Sequence, residues 1–432
     1  MAESSAARSG GARLGELPSA FRDLTQQWPR PSAPRPIVVI GAGSIVRDAH
    51  LPVYARLGLP VAGIFDVDPA AARERASAAG TRAYASLEEA AATAGAVFDL
   101  AVPPGEIAAI LEGLPRGAAV LIQKPLGRDL DEARRIRAVC RERALVAAVN
   151  FQLRFAPNSL ALHDALSRGA FGQLADVEVR VNLHTPWDYW QFLKDAPRLE
   201  VLMHSIHYID LIRRLLGEPR GVYCRGVHHP ALEGYPDAGT SIILDYGDDI
   251  RCSLTMNHTH VFGPRFAVSQ LKLEGTQAAA VMKMGVNLDY PRGEPDELLV
   301  ATPGAGWAEV PLRGSWFLEA FEGPMSNLQR VVAGEDAALV SPVDDSFRTM
   351  AVVEACYESS AHGATPVPGD WPDAHRRPPA LLALSPRHPR LDRRVDDRAS
   401  SRLSSARPRA APARRRLRWL RRGAGAAEHR RD

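Results

Sequence analysis

Cysteine and long apolar runs are both scarce in this chain of 432 residues. The four cysteines form no CxxC pair, which argues against a disulfide scaffold or a cysteine metal site and predicts reduced thiols. No run reaches about 18 uninterrupted apolar residues, and the opening residues lack the apolar segment of a signal peptide. We therefore expect a cytoplasmic protein with no membrane partner.

Positive charge is concentrated at one end of the chain. The net charge is +3, yet residues 375–432 hold 18 arginines against five acidic residues, so the remainder is acidic. This Arg/Pro-rich tail lacks apolar periodicity, which predicts disorder. A nucleic-acid-binding arm stays open as the alternative, but we expect no nucleic-acid partner. Residues 1–35 are predicted to be a polar leader and linker.

Lysine is the other scarce residue, with four among the 53 basic side chains, namely Lys124, Lys194, Lys272 and Lys283. A guanidinium stays protonated in proteins, whereas a buried amine can lose its proton. Each lysine is therefore a candidate for a task that arginine cannot perform. Chance retention on a surface is the alternative reading for each of them.

A glycine-rich turn follows the first β-branched run, in "IVVIGAGSIVRDAHLP". Strand, glycine turn and helix in this order are the context of a dinucleotide-binding fingerprint. Gly41 allows a tight turn, Gly43 lets the backbone approach a pyrophosphate, and the helix start at Ser44 and Ile45 offers free amides. The third glycine of the fingerprint is replaced by Val46, which weakens helix–strand packing more than phosphate binding.

The next strand, "PVAGIFDVDP", ends at Asp66. A carboxylate at this place accepts hydrogen bonds from the adenosine ribose and repels a 2′-phosphate. We therefore expect NAD as the cofactor, with NADP as the alternative because Arg47 and Arg73 are available to a phosphate.

Strands and helices alternate over residues 36–155, which predicts a parallel, doubly wound nucleotide-binding (Rossmann) domain. Ligands of such sheets bind at the carboxyl ends of the strands. Pro103, Gln123, Lys124 and Asn150 all follow predicted strands, so we expect them to line one crevice.

The segment "RLEVLMHSIHYIDLI" hides ionisable side chains in an apolar run. As a helix it places His204, His207 and Asp210 on one stripe of a mostly buried surface. Satisfied core groups, a catalytic role and a metal site are all open for this stripe. We expect no metal site, because the two histidines lack i, i+4 spacing and no third ligand is evident nearby.

Residues 156–365 read as a second domain. Segments such as "TSIILDYGDDIRCSLTMNH" alternate as strands do, with "DYGDD" at a hairpin turn, and two helical segments close the domain. The fold class is therefore an α/β Rossmann domain followed by an α+β domain.

The motifs "GAGSIVRDAHLP", "AVPP", "QKP", "NFQLRFAP" and "HSIHYIDLIRRLLGEP", in this order, resemble the glucose-fructose oxidoreductase / inositol dehydrogenase (Gfo/Idh/MocA) family. The resemblance implies a C-terminal domain with a large, mostly antiparallel sheet, through which members associate as homo-oligomers. It also implies an NAD(P)-dependent dehydrogenase of sugars, cyclitols or related polyols.

The resemblance implies catalytic roles for Lys124, which matches the lysine of the Glu-Lys-Pro motif, and for His207. Gln123 stands where the family has glutamate, which removes a negative charge. Met203 stands where the family keeps an aspartate, four residues before the histidine. His204 is the neighbour that would compensate for it. Asp210 is assigned a supporting role, with a helix cap or a core salt bridge as the alternative.

Aromatic and charged side chains precede this helix in "HTPWDYWQFLKDAP". Such side chains suit a sugar ring, whose C–H face stacks while its hydroxyls form hydrogen bonds. We therefore assign substrate contacts to Trp187, Tyr189, Trp190 and Lys194, and also to Arg154. Plain packing or an oligomer contact is the alternative.

The leading functional prediction is an NAD(P)-dependent oxidoreductase that transfers a hydride between nicotinamide and a secondary alcohol or ketone of a polyol. A cofactor-binding sensor without turnover is one alternative, supported by Met203 and Gln123. A non-redox enzyme that oxidises a sugar transiently and returns the hydride is the other.

Overall fold

The computed structural model describes residues 15–187, 193–194, 196–230, 232, 234–290 and 292–365. The tail predicted over residues 375–432 lies outside the described residues, as do Tyr189 and Trp190. Within the described part, no helix has the length and apolarity needed to cross a membrane.

The first sheet is fully parallel, with the strand order β3-β2-β1-β4-β5-β6. Its strands are β1 (Ile37–Ile40), β2 (Val61–Phe65), β3 (Arg82–Ala83), β4 (Val97–Leu100), β5 (Ala119–Ile122) and β6 (Val146–Val149). All four residues of β1, β4 and β5 are buried, as expected for strands covered by helices on both faces. This order is that of a Rossmann fold, so the predicted fold of the first part is confirmed.

Helices connect these strands. They are α1 (Leu51–Leu57), α2 (Pro69–Ala78), α3 (Leu87–Ala91), α4 (Ile107–Gly113) and α5 (Leu130–Glu142). Side chains cap several of the N-termini: Asp68 accepts from the amide of Ala70 at 2.8 Å, and Asp129 accepts from that of Glu132 at 2.9 Å. These caps satisfy backbone donors that have no partner within the helix.

The second sheet has the order β14-β13-β12-β11-β7-β10-β9-β8. Its strands are β7 (Leu174–Asn182), β8 (Gly221–Val227), β9 (Gly239–Asp245), β10 (Arg251–Asn257), β11 (Val268–Gly275), β12 (Ala279–Lys283), β13 (Glu297–Ala301) and β14 (Ala308–Glu309). Only β7 and β10 pair in parallel, so the sheet is mostly antiparallel as predicted. Buried and exposed residues alternate along β9 and β10, which leaves one face outward.

The remaining helices are α6 (Pro157–Ser167), α7 (Ile206–Leu216), α8 (Glu322–Val332) and α9 (Val343–His362). The chain returns to the first sheet late, because Phe321, Met325 and Leu328 lie in the apolar core formed by β1 and its helices. This return brings the segment before α8 beside the carboxyl ends of the parallel strands, where a ligand site is expected.

The described part of the leader, residues 15–35, packs against the second half of the chain. Phe21 is 1% exposed and meets Phe171 edge to face, with ring centroids 5.5 Å apart. The indole of Trp28 donates to Asp336 Oδ2 at 2.9 Å. These residues therefore contribute to the core, while the predicted domain boundaries stay predictions.

Candidate active site

The turn after β1 can be built only with glycine at its first position. Gly41 has φ +108°, and a Cβ there would lie 2.1 Å from the carbonyl oxygen of Ala101. Gly43 differs, since a Cβ there would meet nothing within 4 Å. The turn is thus closed towards β4 and open on the side that Gly43 presents to a cavity.

Asp66 follows β2 and is fixed against this turn. Its Oδ2 accepts from the amide of Ala42 at 2.7 Å, and its Oδ1 accepts from the amide of Asp68 at 2.8 Å. Each carboxylate oxygen can accept a further hydrogen bond. The carboxylate is therefore held beside the glycine turn with acceptor capacity left for a ligand hydroxyl.

A cavity of about 440 Å³ opens between the carboxyl ends of the parallel strands and the second half of the chain. This volume suits a small ligand together with part of a larger one. Many of the residues selected from the sequence line it: Gly43, Ser44, Ile45, Pro103, Gln123, Lys124, Trp187, Met203, His204 and His207. The structure thus brings together residues separated by up to 164 positions.

Lys124 lies directly after β5 and reaches towards the second half of the chain. Its Nζ donates to the backbone carbonyl oxygen of Met203 at 2.9 Å. Burial lowers the pKa of the amine from 10.5 to about 8. Among the described residues, none of the ion pairs joins Lys124 to a carboxylate, so no negative charge opposes this shift.

Gln123 does not touch the amine of Lys124. Its Oε1 accepts from the backbone amide of Lys124 at 2.8 Å, and its Nε2 lies 3.5 Å from His50 Nε2. The glutamine thus fixes the backbone that carries the lysine and adds no charge beside it.

His207 stands in the first turn of α7 and meets Trp316 edge to face, with ring centroids 5.7 Å apart. Its Nδ1 has no hydrogen-bond partner among the described residues. Burial lowers the pKa of the imidazole well below its ordinary value, and the nearby Lys124 and His204 lower it further. His207 is therefore neutral at physiological pH.

His204 lies in a π-helical turn, Val201–Ser205, immediately before α7. Such turns change which side chains face a site. Here Met203 and His204 both reach the cavity, and His204 packs against His258 with ring centroids 4.2 Å apart. Ligand atoms of His204, His258 and Glu200 all lie within 4.8 Å of one another. The fold thus brings two further potential metal ligands to His204, whereas the sequence predicts no metal site.

Asp210 lies away from the cavity lining, in a buried network with Arg154. The guanidinium donates to both carboxylate oxygens of Asp210 at 2.6 Å and also to Asp345 at 2.6 Å. Thr349 donates to Asp210 at 2.8 Å. Contrary to expectation, Arg154 lies in the core and does not line the cavity, because its guanidinium donates to these acceptors and, at 2.7 Å, to the carbonyl of Val340.

Asn150 does not line the cavity but is part of a second buried network, whose centre was not predicted from the sequence. His50 Nδ1 donates to Asp99 Oδ2 at 2.8 Å, and Tyr54 donates to the same oxygen at 2.8 Å. Asn150 Nδ2 donates to His50 Nε2 at 3.2 Å. The available signal was Asp99 itself, an ionisable residue in the middle of the apolar strand "VFDL".

The residues of the loop before α7 that were predicted to contact a substrate do not all line the cavity. Trp187 lines the cavity, whereas Lys194 is exposed and does not. A further wall of the cavity comes from the second half of the chain and was not predicted; it is formed by Val286, Asn287, Tyr290, Trp316, Phe317 and Phe321. No motif marks these residues, because tertiary packing alone brings them to the cavity.

Known proteins resemble this chain across both halves. Residues 35–151 match the Gfo/Idh/MocA oxidoreductase family model with an NAD-binding Rossmann fold, and residues 159–281 match the GFO/IDH/MocA C-terminal domain. D-apiose dehydrogenase of Paraburkholderia graminis is 26% identical over 58% of this chain. The match spans 66% of that relative, just under two thirds of its length.

Inositol 2-dehydrogenase of Rhizobium meliloti is 24% identical over 75% of this chain and 96% of its own length. An oxidoreductase from Agrobacterium radiobacter, solved with NAD+, L-tartaric acid and magnesium, has a TM-score of 0.65. It is 19% identical and covers 77% of this chain and 98% of its own, which shows the shared fold. On these matches, the chain belongs to the Gfo/Idh/MocA family of oxidoreductases.

Proposed function

We propose that this protein is an NAD(P)-dependent dehydrogenase that interconverts a secondary alcohol and a ketone on a sugar, cyclitol or similar polyol. The observation that carries the proposal is Lys124, an amine with a pKa of about 8 in a cavity that also contains the glycine turn. An amine with this pKa exchanges protons readily near neutral pH. The dehydrogenase relatives described above support the substrate class.

The residues present fit a dinucleotide. Gly43 presents open space to the cavity, as close approach by a pyrophosphate requires, and Ser44 and Ile45 line the same wall. Asp66 retains acceptor capacity for ribose hydroxyls. A carboxylate there repels a 2′-phosphate, so we propose NAD in preference to NADP. When bound, the nicotinamide accepts the hydride of an alcohol or returns it to a ketone.

Lys124 is the proposed general base. As a neutral amine it takes the proton of the substrate hydroxyl, and as an ammonium it donates that proton in the reverse reaction. The Met203 carbonyl positions Nζ without supplying a charge, which keeps both protonation states available near pH 8. His207 is the proposed hydrogen-bonding partner of a substrate hydroxyl, since its neutral imidazole offers one donor and one acceptor.

Purified protein should be tested with NAD and with NADP against sugars, cyclitols and their acids, by following the absorbance of the reduced nicotinamide. We expect NAD-dependent turnover with at least one polyol. Cofactor binding without turnover on any substrate would instead favour a sensor. Tightly bound cofactor with substrate conversion and no net NADH would favour transient oxidation.

The second sheet supports the proposal that this chain forms homo-oligomers. Tyr223 on β8 and Ile243 on β9 are cross-strand partners, and they are 66% and 50% exposed. Large apolar side chains paired on an outward sheet face are typical of an interface between subunits. Light scattering should show an oligomer in the wild type and a smaller species for Tyr223→Asp, whereas a wild-type monomer would contradict the proposal.

A further inference from the structure

Three buried or half-buried side chains from two parts of the chain meet behind one wall of the cavity. Glu200 and His204 are four residues apart around the π-helical turn, and His258 directly follows β10. The side chains of Glu200 and His258 are fully buried, with Glu200 Oε1 lying 3.2 Å from His258 Nε2. One ligand atom from each of the three residues lies within 4.8 Å of the others.

We propose that Glu200, His204 and His258 bind one divalent transition-metal ion of the zinc class. Two imidazoles and one carboxylate form a ligand set that zinc accepts at about 2.0–2.2 Å. Tetrahedral geometry at such bond lengths places the ligand atoms about 3.3 Å apart. The pair from Glu200 and His258 already has this spacing, so binding requires mainly a small movement of His204.

The hydrogen-bond partners of Glu200 and His258 suit metal ligands. Glu200 accepts hydrogen bonds from Ser205 at 2.7 Å and from Thr240 at 2.6 Å, which orient its carboxylate. His258 Nδ1 lies 2.7 Å from Thr185 Oγ1. A hydroxyl can accept from Nδ1–H, which leaves the Nε2 lone pair for an ion. Such outer contacts fix the orientation and tautomer of metal ligands.

His204 supplies an independent observation. Its Nδ1 is buried and has no hydrogen-bond partner among the described residues. A buried ring nitrogen without a partner is costly unless something binds it. An ion held by Glu200 and His258 would bind His204 through one of its ring nitrogens, and the buried Nδ1 is available for this because it has no partner among the described residues.

The site has room for a further ligand from the cavity. His204 and Thr185 both line the cavity, whereas Glu200 and His258 lie behind them. Three protein ligands with one position left for water or substrate are typical of catalytic zinc sites. A hydroxyl of the polyol is the substrate ligand that this position suits, and this last step alone rests on the proposed function.

Metal binding is tested on the full-length chain without cofactor or substrate. After chelator treatment, the protein is titrated with Zn²⁺ by calorimetry and with Co²⁺ by absorbance. The variants are Glu200→Gln and His258→Gln, and His163→Gln in α6 is the matched control outside the cluster. We expect one Zn²⁺ per chain for the wild type and the control. Losing a ligand should weaken binding by about 100-fold or more, because outer partners alone contribute about 10–100-fold.

Wild-type protein that binds no Zn²⁺ stoichiometrically, or cluster variants that bind as tightly as His163→Gln, would overturn the proposal. X-ray absorption of the wild-type zinc complex decides the case if a cluster variant fails to fold. Two imidazoles and an oxygen around the ion are expected, and one imidazole or none would refute the assignment. Whether a substrate hydroxyl binds the ion is tested separately, by comparing polyol oxidation with and without Zn²⁺. Equal rates would refute this substrate ligand and would leave the proposed metal site untouched.

Discussion

Lys124→Met distinguishes a catalytic lysine from a structural one, because the two roles predict opposite changes in stability. Burial lowers the pKa of Lys124 from 10.5 to about 8. The unfolded chain therefore holds this proton more tightly than the folded chain, and below pH 8 the ammonium destabilises the fold. At about 1.4 kcal/mol for each pKa unit, the charged amine lowers the free energy of unfolding at pH 7 by about 3 kcal/mol. It declines between pH 8 and 10.5, where the folded chain loses the proton first.

Methionine removes this charge at similar length, while the Met203 carbonyl loses its donor at a cost of about 1 kcal/mol. We therefore expect Lys124→Met to raise the free energy of unfolding at pH 7 by about 2 kcal/mol, measured by urea denaturation in chelator-treated buffer. The gain should disappear near about pH 10. Turnover should fall about 100-fold or more. A variant that is destabilised at pH 7 would refute the reasoning.

The pH dependence of kcat/KM tests the same pKa in the wild type. The neutral amine is the base in alcohol oxidation, so kcat/KM, which reports ionisations of the free enzyme, should rise with a midpoint near pH 8 and level off above about pH 9. About 10% of the amine is neutral at pH 7 and about 90% at pH 9. Ketone reduction needs the ammonium and should fall over the same range. Lys124→Arg is the matched control, because its charge cannot be removed; activity with an unchanged profile would contradict the assignment.

Further predictions concern the residues around the cavity. Asp210→Ala removes one of the carboxylates that neutralise the buried Arg154 and should lower the free energy of unfolding by about 3 kcal/mol. Asp131→Ala removes an exposed ion pair and should lower it by less than about 1 kcal/mol. Equal decreases in the free energy of unfolding for the two variants, measured by urea denaturation, would contradict this prediction. Asp66→Ala should raise the KM for NAD about 10-fold or more and shift preference towards NADP, and an unchanged ratio of kcat/KM for the two cofactors would count against its role. Gly41→Ala should lower the free energy of unfolding by about 3 kcal/mol, because its Cβ would meet a carbonyl oxygen at 2.1 Å. Gly58 also has a positive φ, but a Cβ there meets nothing within 4 Å, so Gly58→Ala should lower it by only about 1 kcal/mol. Similar losses for the two glycine variants would contradict the steric argument.

The sequence contained local signals for the first half of the cavity. The turn at Gly41 and Gly43 follows a buried strand, and Lys124 follows another, so their placement at one edge of a parallel sheet was predictable. The scarcity of lysine independently drew attention to Lys124. The extent to which the pKa is lowered was not predictable, since it depends on how the second half of the chain covers the amine.

The environments of His204, His207 and Asp210 could not be predicted from their spacing in the sequence. An even spacing placed these residues on one stripe, but the π-helical turn and the packing of α7 divide them among different environments. His207 lines the cavity, His204 approaches Glu200 and His258, and Asp210 pairs with Arg154. A helix projection records neighbours on one helix only and contains nothing about what faces it.

The sequence by itself determined the order of strands and helices, the glycine turn, and which residues follow each parallel strand, because these depend on periodicity and local backbone conformation. Tertiary structure alone decided which polar groups became partners. Glu200 and His258 are 58 positions apart, and Arg154 and Asp210 are 56 apart. Pairing over such separations follows from how the two sheets and their helices pack, and no local pattern in the chain records it.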